Sequence, residues 1–181
     1  MRRSLSDDPV TAGTTSVATL AHPRAALFWL SVIATGAGTG ASAIVLTRLL
    51  EQVQRLAWPA APGLLQATAC GSALRHLAVL TAAGAVTAVG QLLLGRLTSG
   101  NGIETTTAIW FTAGRVPRLR TLGSAVLSVV VVGMGASLGR EGAPKQAGAA
   151  LANAVCDRSG FSDEQRRLLV ACGAGAGLAA A

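Results

Sequence analysis

Between Gly133 and Gly148 an uncharged apolar run breaks into glycine and brings Arg140, Glu141 and Lys145 together within six residues. Residues 122–132 upstream carry no charge, and a run of small residues follows downstream, so the three charges are enclosed by apolar sequence. An ionisable group at membrane depth costs roughly 2.5–3.5 kcal/mol on insertion scales and is retained where it is paired or lines a polar pathway. A chain with such charges inside an apolar stretch is constrained to hold them at a break between helices. Glu141 is the residue that most needs a structural reason.

The surrounding residue types supply one. Glycine lets backbone approach a ligand closely, and Ala143-Pro144 is suited to opening a helix, because proline in the first turn forgoes no hydrogen bond. A helix beginning there aims unpaired N–H groups and the positive end of its dipole at the break, which favours an anion. A carboxylate at that position either occupies the anion site or yields it to a solute anion, and so acts as a gate. The alternative is a paired or interfacial carboxylate with a structural role.

Composition supports a membrane setting. Hydrophobic residues make up 51% and charged residues 13%, an unusual balance for a soluble domain. Aromatics are at 3% with no tyrosine, so Ala, Gly, Ser and Thr carry the apolar segments, as in closely packed membrane helices. The net charge of +7 would suggest nucleic acid in a soluble protein. Here the arginines fall mainly between apolar segments, which is the pattern of the positive-inside rule, and no nucleic-acid partner is expected. Cys70, Cys156 and Cys172 lack metal-ligand spacing and read as small apolar residues. No metal or cofactor is expected.

Taken in order, residues 1–24 form a polar, uncleaved cytoplasmic tail. Residues 25–46 are a first span of about the ~20 residues a bilayer requires, continued by an amphipathic extension bearing Arg48, Glu51 and Arg55. Trp58 and His76 are expected at the membrane interface, with residues 59–71 as a loop between them and residues 77–94 as a second span. Residues 97–102 are a glycine-bearing break, and residues 103–113 are too short to cross. That stretch reads either as a re-entrant helix of the kind transporters place at mid-membrane or as a loop with a surface helix. Arg115, Arg118 and Arg120 form the densest basic cluster and are expected to be cytoplasmic. Residues 122–138 approach a third span, and residues 144–155 form a helix starting in the membrane interior. Residues 157–167 form a polar loop, in which Ser162 and Gln165 make a capping box for a last helix over 168–181.

The same residues resemble a known family. Gly139-Arg140-Glu141-Gly142, followed by Pro144, Gln146 and Gly148, is similar to the GREGP motif of the ClC chloride channels and chloride/proton antiporters. Gly100-Asn101-Gly102-Ile103-Glu104 stands where that family has GSGIP, and the glycine- and alanine-rich residues 173–181 resemble the helix that follows its central motif. The resemblance covers residues 25–181. It implies an all-α, polytopic integral membrane protein of long tilted spans and short broken helices, equivalent to the first half of the ClC inverted repeat. It further implies a multi-pass protein of the plasma (inner) membrane, with its N-terminus cytoplasmic.

By the same resemblance the function is transmembrane chloride transport, as a voltage- or pH-gated channel or as a chloride/proton antiporter. Glu141 would be the gating and proton-carrying residue. Asn101, Gly102, Ile103, Gly139, Arg140 and Gly142 would contact the anion, and Lys145, one turn from Glu141, would modulate the gate. The expected partners are chloride, protons, the lipid bilayer and a second copy in a homodimer. The sequence departs from the family pattern at Asn101 for serine, at Glu104 for proline, and at Ala143, with proline one position later. An end inside an apolar run reads as an N-terminal fragment of the family's membrane domain.

Two other classes fit parts of the sequence. Residues 125–135 read as a buried strand entering a glycine turn; Gly133, Gly135 and Gly139, with Asp157 further on, approach a dinucleotide-binding fingerprint. Such an enzyme would be soluble without detergent. An inactive remnant of a transporter would insert into a membrane and move no ion.

Overall fold

The computed structural model describes residues 25–58, 69, 71–97, 105–137 and 139–181. Within these residues the chain is all-α: α1 (Ala25–Ala57), α2 (Ala73–Leu97), α3 (Thr105–Phe111), α4 (Arg118–Gly133), α5 (Gly142–Ser159) and α6 (Asp163–Ala179), with no strand among the described residues. The N-terminal tail, most of the loop at 59–71, Cys70 and residues 98–104 lie outside the described residues.

Two helices, α1 and α2, are long and apolar enough to cross a membrane, with mean hydropathy 1.5 and 1.9 over 18 residues. At 1.5 Å per residue α1 reaches roughly 50 Å and α2 roughly 37 Å, against a hydrocarbon core of about 30 Å. The amphipathic extension at Arg48, Glu51 and Arg55 is continuous with α1. The third span expected over 122–138 is shorter: α4 ends at Gly133 and extends only roughly 24 Å.

Helix α5 occupies the middle, packed on α1, α4 and α6, while α2 lies against α4 alone among the stronger helix pairs. The reason is side-chain size. One face of α1 buries Phe28, Ser31, Thr35, Thr39, Ala43, Leu46 and Leu50 at helical spacing, and its small middle residues admit α5. On α5 the buried residues are Ala143, Pro144, Ala147, Gly148, Ala149, Ala150, Ala152, Asn153 and Cys156. One apolar cluster joins Phe28 to Ala149, Ala152, Cys156, Leu169 and Val170; the other joins Leu46 and Leu50 to Ala125, Val129, Ala143 and Ala147.

The α5–α6 crossing is the closest. A Cβ on Gly148 would land on the Gly173 carbonyl, and one on Gly177 would land on the Pro144 carbonyl. Backbone therefore meets backbone, which only small residues at this spacing permit. The outward surfaces are apolar: Leu30, Ile33, Ile44 and Val45 on α1, and Leu77, Val89, Leu92 and Leu93 on α2, are exposed.

The polar loop expected at 157–167 contracts to a turn of three residues, Gly160 to Ser162. Helix α5 runs on to Ser159, closed by Gly160 at φ 62°, and α6 begins at Asp163. The capping box is present: Gln165 N–H donates to Ser162 Oγ at 3.3 Å, and Ser162 N–H donates to Gln165 Oε1 at 3.2 Å. Ser162→Ala removes one of these bonds and is expected to lower stability by about 1 kcal/mol, read as a lowered midpoint in detergent-solubilised thermal unfolding. An unchanged midpoint would show that the cap contributes nothing to the α5–α6 hairpin.

Candidate functional site

The site is built from the end of α4, the break after it and the start of α5. Helix α4 closes with Gly135 at φ 100°. Gly135 N–H donates to Val132 O at 2.9 Å, and Ala136 N–H donates to Val131 O at 3.2 Å, the bond pair of a glycine-terminated helix end. This turn stops the valine-rich helix short of a full crossing and begins the break. It also settles the strand reading: residues 125–133 are helical within α4, so the Gly133, Gly135 and Gly139 pattern has no strand before it. Asp157 sits in α5, not at a strand end.

Trp58 packs beneath the turn. A Cβ at Gly135 would lie 3.4 Å from the indole, the His76 ring packs tilted against it at 5.0 Å between centroids, and the Arg75 guanidinium lies 5.9 Å above it. Arg75 also donates to the Ala57 carbonyl at 3.1 Å. Trp58 is only 4% exposed, because His76 and the glycine turn close over the ring.

Glu141 is the N-cap residue of α5, and its side chain makes no capping bond. Its carbonyl accepts from Lys145 N–H at 3.3 Å, which places Lys145 one turn into the helix. The amides of Gly142 and Ala143 precede the first residue that the helix can satisfy internally, and Pro144 in the same turn has none to offer. Gly139, Arg140, Glu141 and Gly142 are all exposed, whereas Ala143 and Pro144 are buried. The motif thus forms an accessible lip on a rigidly seated helix. Asn101, Gly102, Ile103 and Glu104 lie outside the described residues; the chain resumes at Thr105, buried at the start of α3.

Beside the lip a cavity of about 30 Å³ opens between α1, α4 and α5, lined by Leu46, Thr47, Leu50, Ser128, Val129, Val132, Gly139, Arg140, Ala143, Pro144 and Ala181. That volume admits water, provided polar partners face it. Thr47, Ser128 and Arg140 supply such groups. Sequence reasoning missed Thr47 and Ser128, since a hydroxyl in an apolar run ordinarily bonds its own helix backbone; only the packing of α1 on α4 puts both beside Gly139.

At the opposite end of α5 a polar cluster fixes the helix. Arg166, 8% exposed, donates to Asn153 Oδ1 at 2.6 Å and to Asp157 Oδ1 at 2.5 Å. Asn153 Nδ2 donates to the Val116 carbonyl at 3.0 Å, and Arg118 pairs with Asp157 Oδ2 at 2.9 Å. Arg115 pairs with Asp163 at 2.7 Å. Two of the three arginines in the densest basic cluster are thereby matched to carboxylates from the α5–α6 hairpin, which spacing along the chain does not reveal.

These features define an all-helical protein with two membrane-length apolar helices and a glycine-rich break that starts a buried helix. A family model described as voltage gated chloride channel matches residues 83–181, a stretch that includes α3 to α6 and the break. The chain belongs to the voltage gated chloride channel family, whose members are integral membrane channels or transporters of chloride. Neither the curated proteins nor the solved structures contain a match to the chain.

Proposed function

We propose that the chain contributes an anion pathway in which Glu141 is the gate, serving a chloride channel or a chloride/proton antiporter. The observation that carries this is the position of Glu141: an exposed carboxylate at the N-cap of a buried helix whose first amides it leaves uncapped. Those amides and the helix dipole attract negative charge. Deprotonated, Glu141 competes with chloride for that position; protonated, it withdraws and can carry the proton with it. Gly139, Arg140 and Gly142 line the approach, with Asn101, Gly102 and Ile103 as further anion contacts and Lys145 modulating the carboxylate from one turn away. The Thr47 and Ser128 hydroxyls add polar groups beside the approach. The protein works as an integral, multi-pass component of the plasma membrane, with its N-terminus cytoplasmic and a second copy as partner.

The test is chloride efflux from liposomes holding the full chain, with Glu141→Gln alongside. Glutamine mimics the protonated gate, so efflux is expected to lose the pH dependence that the parent shows. A variant whose efflux keeps the parent's pH dependence overturns the assignment of Glu141. Inserted protein that moves no chloride at any pH overturns the pathway for this chain alone.

A further inference from the structure

One end of the bundle, remote from Glu141, concentrates positive charge and exposed aromatics. Helices α2 and α4 run antiparallel, since Gly90 meets Leu127 and Leu94 meets Gly123; the C-terminal end of α2 therefore lies level with the start of α4. The α5–α6 turn comes to the same end, as the Arg118–Asp157 and Arg115–Asp163 pairs require, and so does the start of α1, where Phe28 packs edge-on against Phe161 at 5.8 Å. Arg96, Arg115, Arg118, Arg120, Arg158, Arg166 and Arg167 gather here against three carboxylates, Asp157, Asp163 and Glu164, so the end is net positive.

Six of these seven arginines fall into two sets. Arg115, Arg118 and Arg166 are matched to Asp157 and Asp163 and serve the fold. Arg96, Arg158 and Arg167 are exposed and make no ion pair among the described residues; Arg158 only donates to the carbonyl of its own helix at Ala154. At the same end of the bundle Trp29, Trp110, Phe111 and Leu119 are 50%, 71%, 83% and 75% exposed. Aromatic side chains beside arginines fit the headgroup level of a bilayer, where the ring meets acyl chain and the cation meets phosphate.

We infer that this end is a docking surface for anionic phospholipid headgroups, with Arg96, Arg158 and Arg167 holding the phosphates and Trp29, Trp110 and Phe111 seated at the acyl boundary. Charge complementarity selects the occupant: a net-positive rim with uncommitted guanidiniums beside apolar rings matches a lipid that carries both a negative headgroup and a hydrocarbon tail. The inference rests on membrane insertion, but not on the anion pathway.

The experiment titrates the full chain, in an uncharged detergent, with phosphatidylglycerol, phosphatidylcholine or inorganic phosphate while following the thermal midpoint. Phosphatidylglycerol is expected to raise the midpoint saturably, and the other two to leave it unchanged. A basic residue near an anionic surface contributes roughly five-fold in affinity, so the triple variant Arg96→Gln, Arg158→Gln, Arg167→Gln is expected to need on the order of a hundredfold more phosphatidylglycerol. Arg48→Gln with Arg55→Gln, at the other end of α1, leaves the titration as it was. Equal stabilisation by phosphatidylcholine or phosphate, or a triple variant that titrates like the parent, overturns the inference.

Brominated lipids supply a measurement that needs no variant. Brominated phosphatidylglycerol is expected to quench tryptophan emission at a lower mole fraction than brominated phosphatidylcholine; equal quenching overturns the inference. Chloride flux enters neither readout, so failure here leaves the proposed gate standing, and failure of the gate leaves this surface standing.

Discussion

Gly173→Ala is expected to destabilise the bundle by about 3 kcal/mol, at the upper end of the cost of overpacking. The added methyl group would land on the Gly148 carbonyl oxygen and within 3.0 Å of the Ala152 Cβ. No side chain there can rotate aside, because the obstacle is the backbone of the neighbouring helix. Gly148→Ala meets the same obstacle from the other side, with the Thr39 methyl 2.9 Å away, and separates α5 from α1 as well as from α6. Gly175→Ala is the contrasting control: nothing lies within 4 Å of its Cβ position, and alanine gains about 0.5–1 kcal/mol over glycine within a helix. Denaturant unfolding in detergent micelles separates the two. A Gly173→Ala midpoint equal to that of Gly175→Ala would mean that α5 and α6 do not cross at these residues.

Asp157→Ala is expected to cost about 3 kcal/mol, the low end for removing one partner of a buried ion pair. It leaves Arg166, almost wholly enclosed, with Asn153 as its remaining side-chain acceptor, and takes Arg118 out of its pair. The cost falls at the low end because the Asp157 side chain is 35% exposed, so water can enter in its place. Removing the cation is expected to cost less: Arg166→Met leaves Asp157 paired with Arg118 and reached by solvent, and fills the buried volume with an apolar chain. Unfolding midpoints ordered Asp157→Ala below Arg166→Met support this account. The reverse order would place the stability in the packing of the arginine stem. Because the cluster also binds the Val116 carbonyl, Asp157→Ala is further expected to loosen the α3–α4 connection, read as faster amide exchange at residues 113–117.

Much of the site was legible before any packing was known. Glycine before Arg140-Glu141, with proline in the following turn, announces a helix start at a break, because dihedral freedom and the missing proline amide act within a few residues. The Ser162 capping box was legible for the same reason, since both of its hydrogen bonds span three residues. The third span is shorter than hydropathy predicts, because hydropathy continues smoothly past Gly133 while the helix stops where Gly135 adopts a positive φ over the Trp58 ring. The burial of Trp58 is not legible in sequence, because it comes from His76 and Gly135, which lie far from it along the chain.

The sequence by itself determined the class: apolar runs of spanning length, small residues in place of aromatic bulk, and a charged glycine motif whose order matches the chloride channel family. These are local or compositional properties, set by transfer free energy and backbone freedom. Tertiary structure alone decided that α5 is the central helix, that Gly148 and Gly173 bring two backbones together, that Thr47 and Ser128 join Arg140 at one cavity, and that Arg115, Arg118 and Arg166 are paired for folding while Arg96, Arg158 and Arg167 stay at the rim. Each of these depends on which helix faces meet, and contacts between residues tens of positions apart are fixed by packing the whole chain.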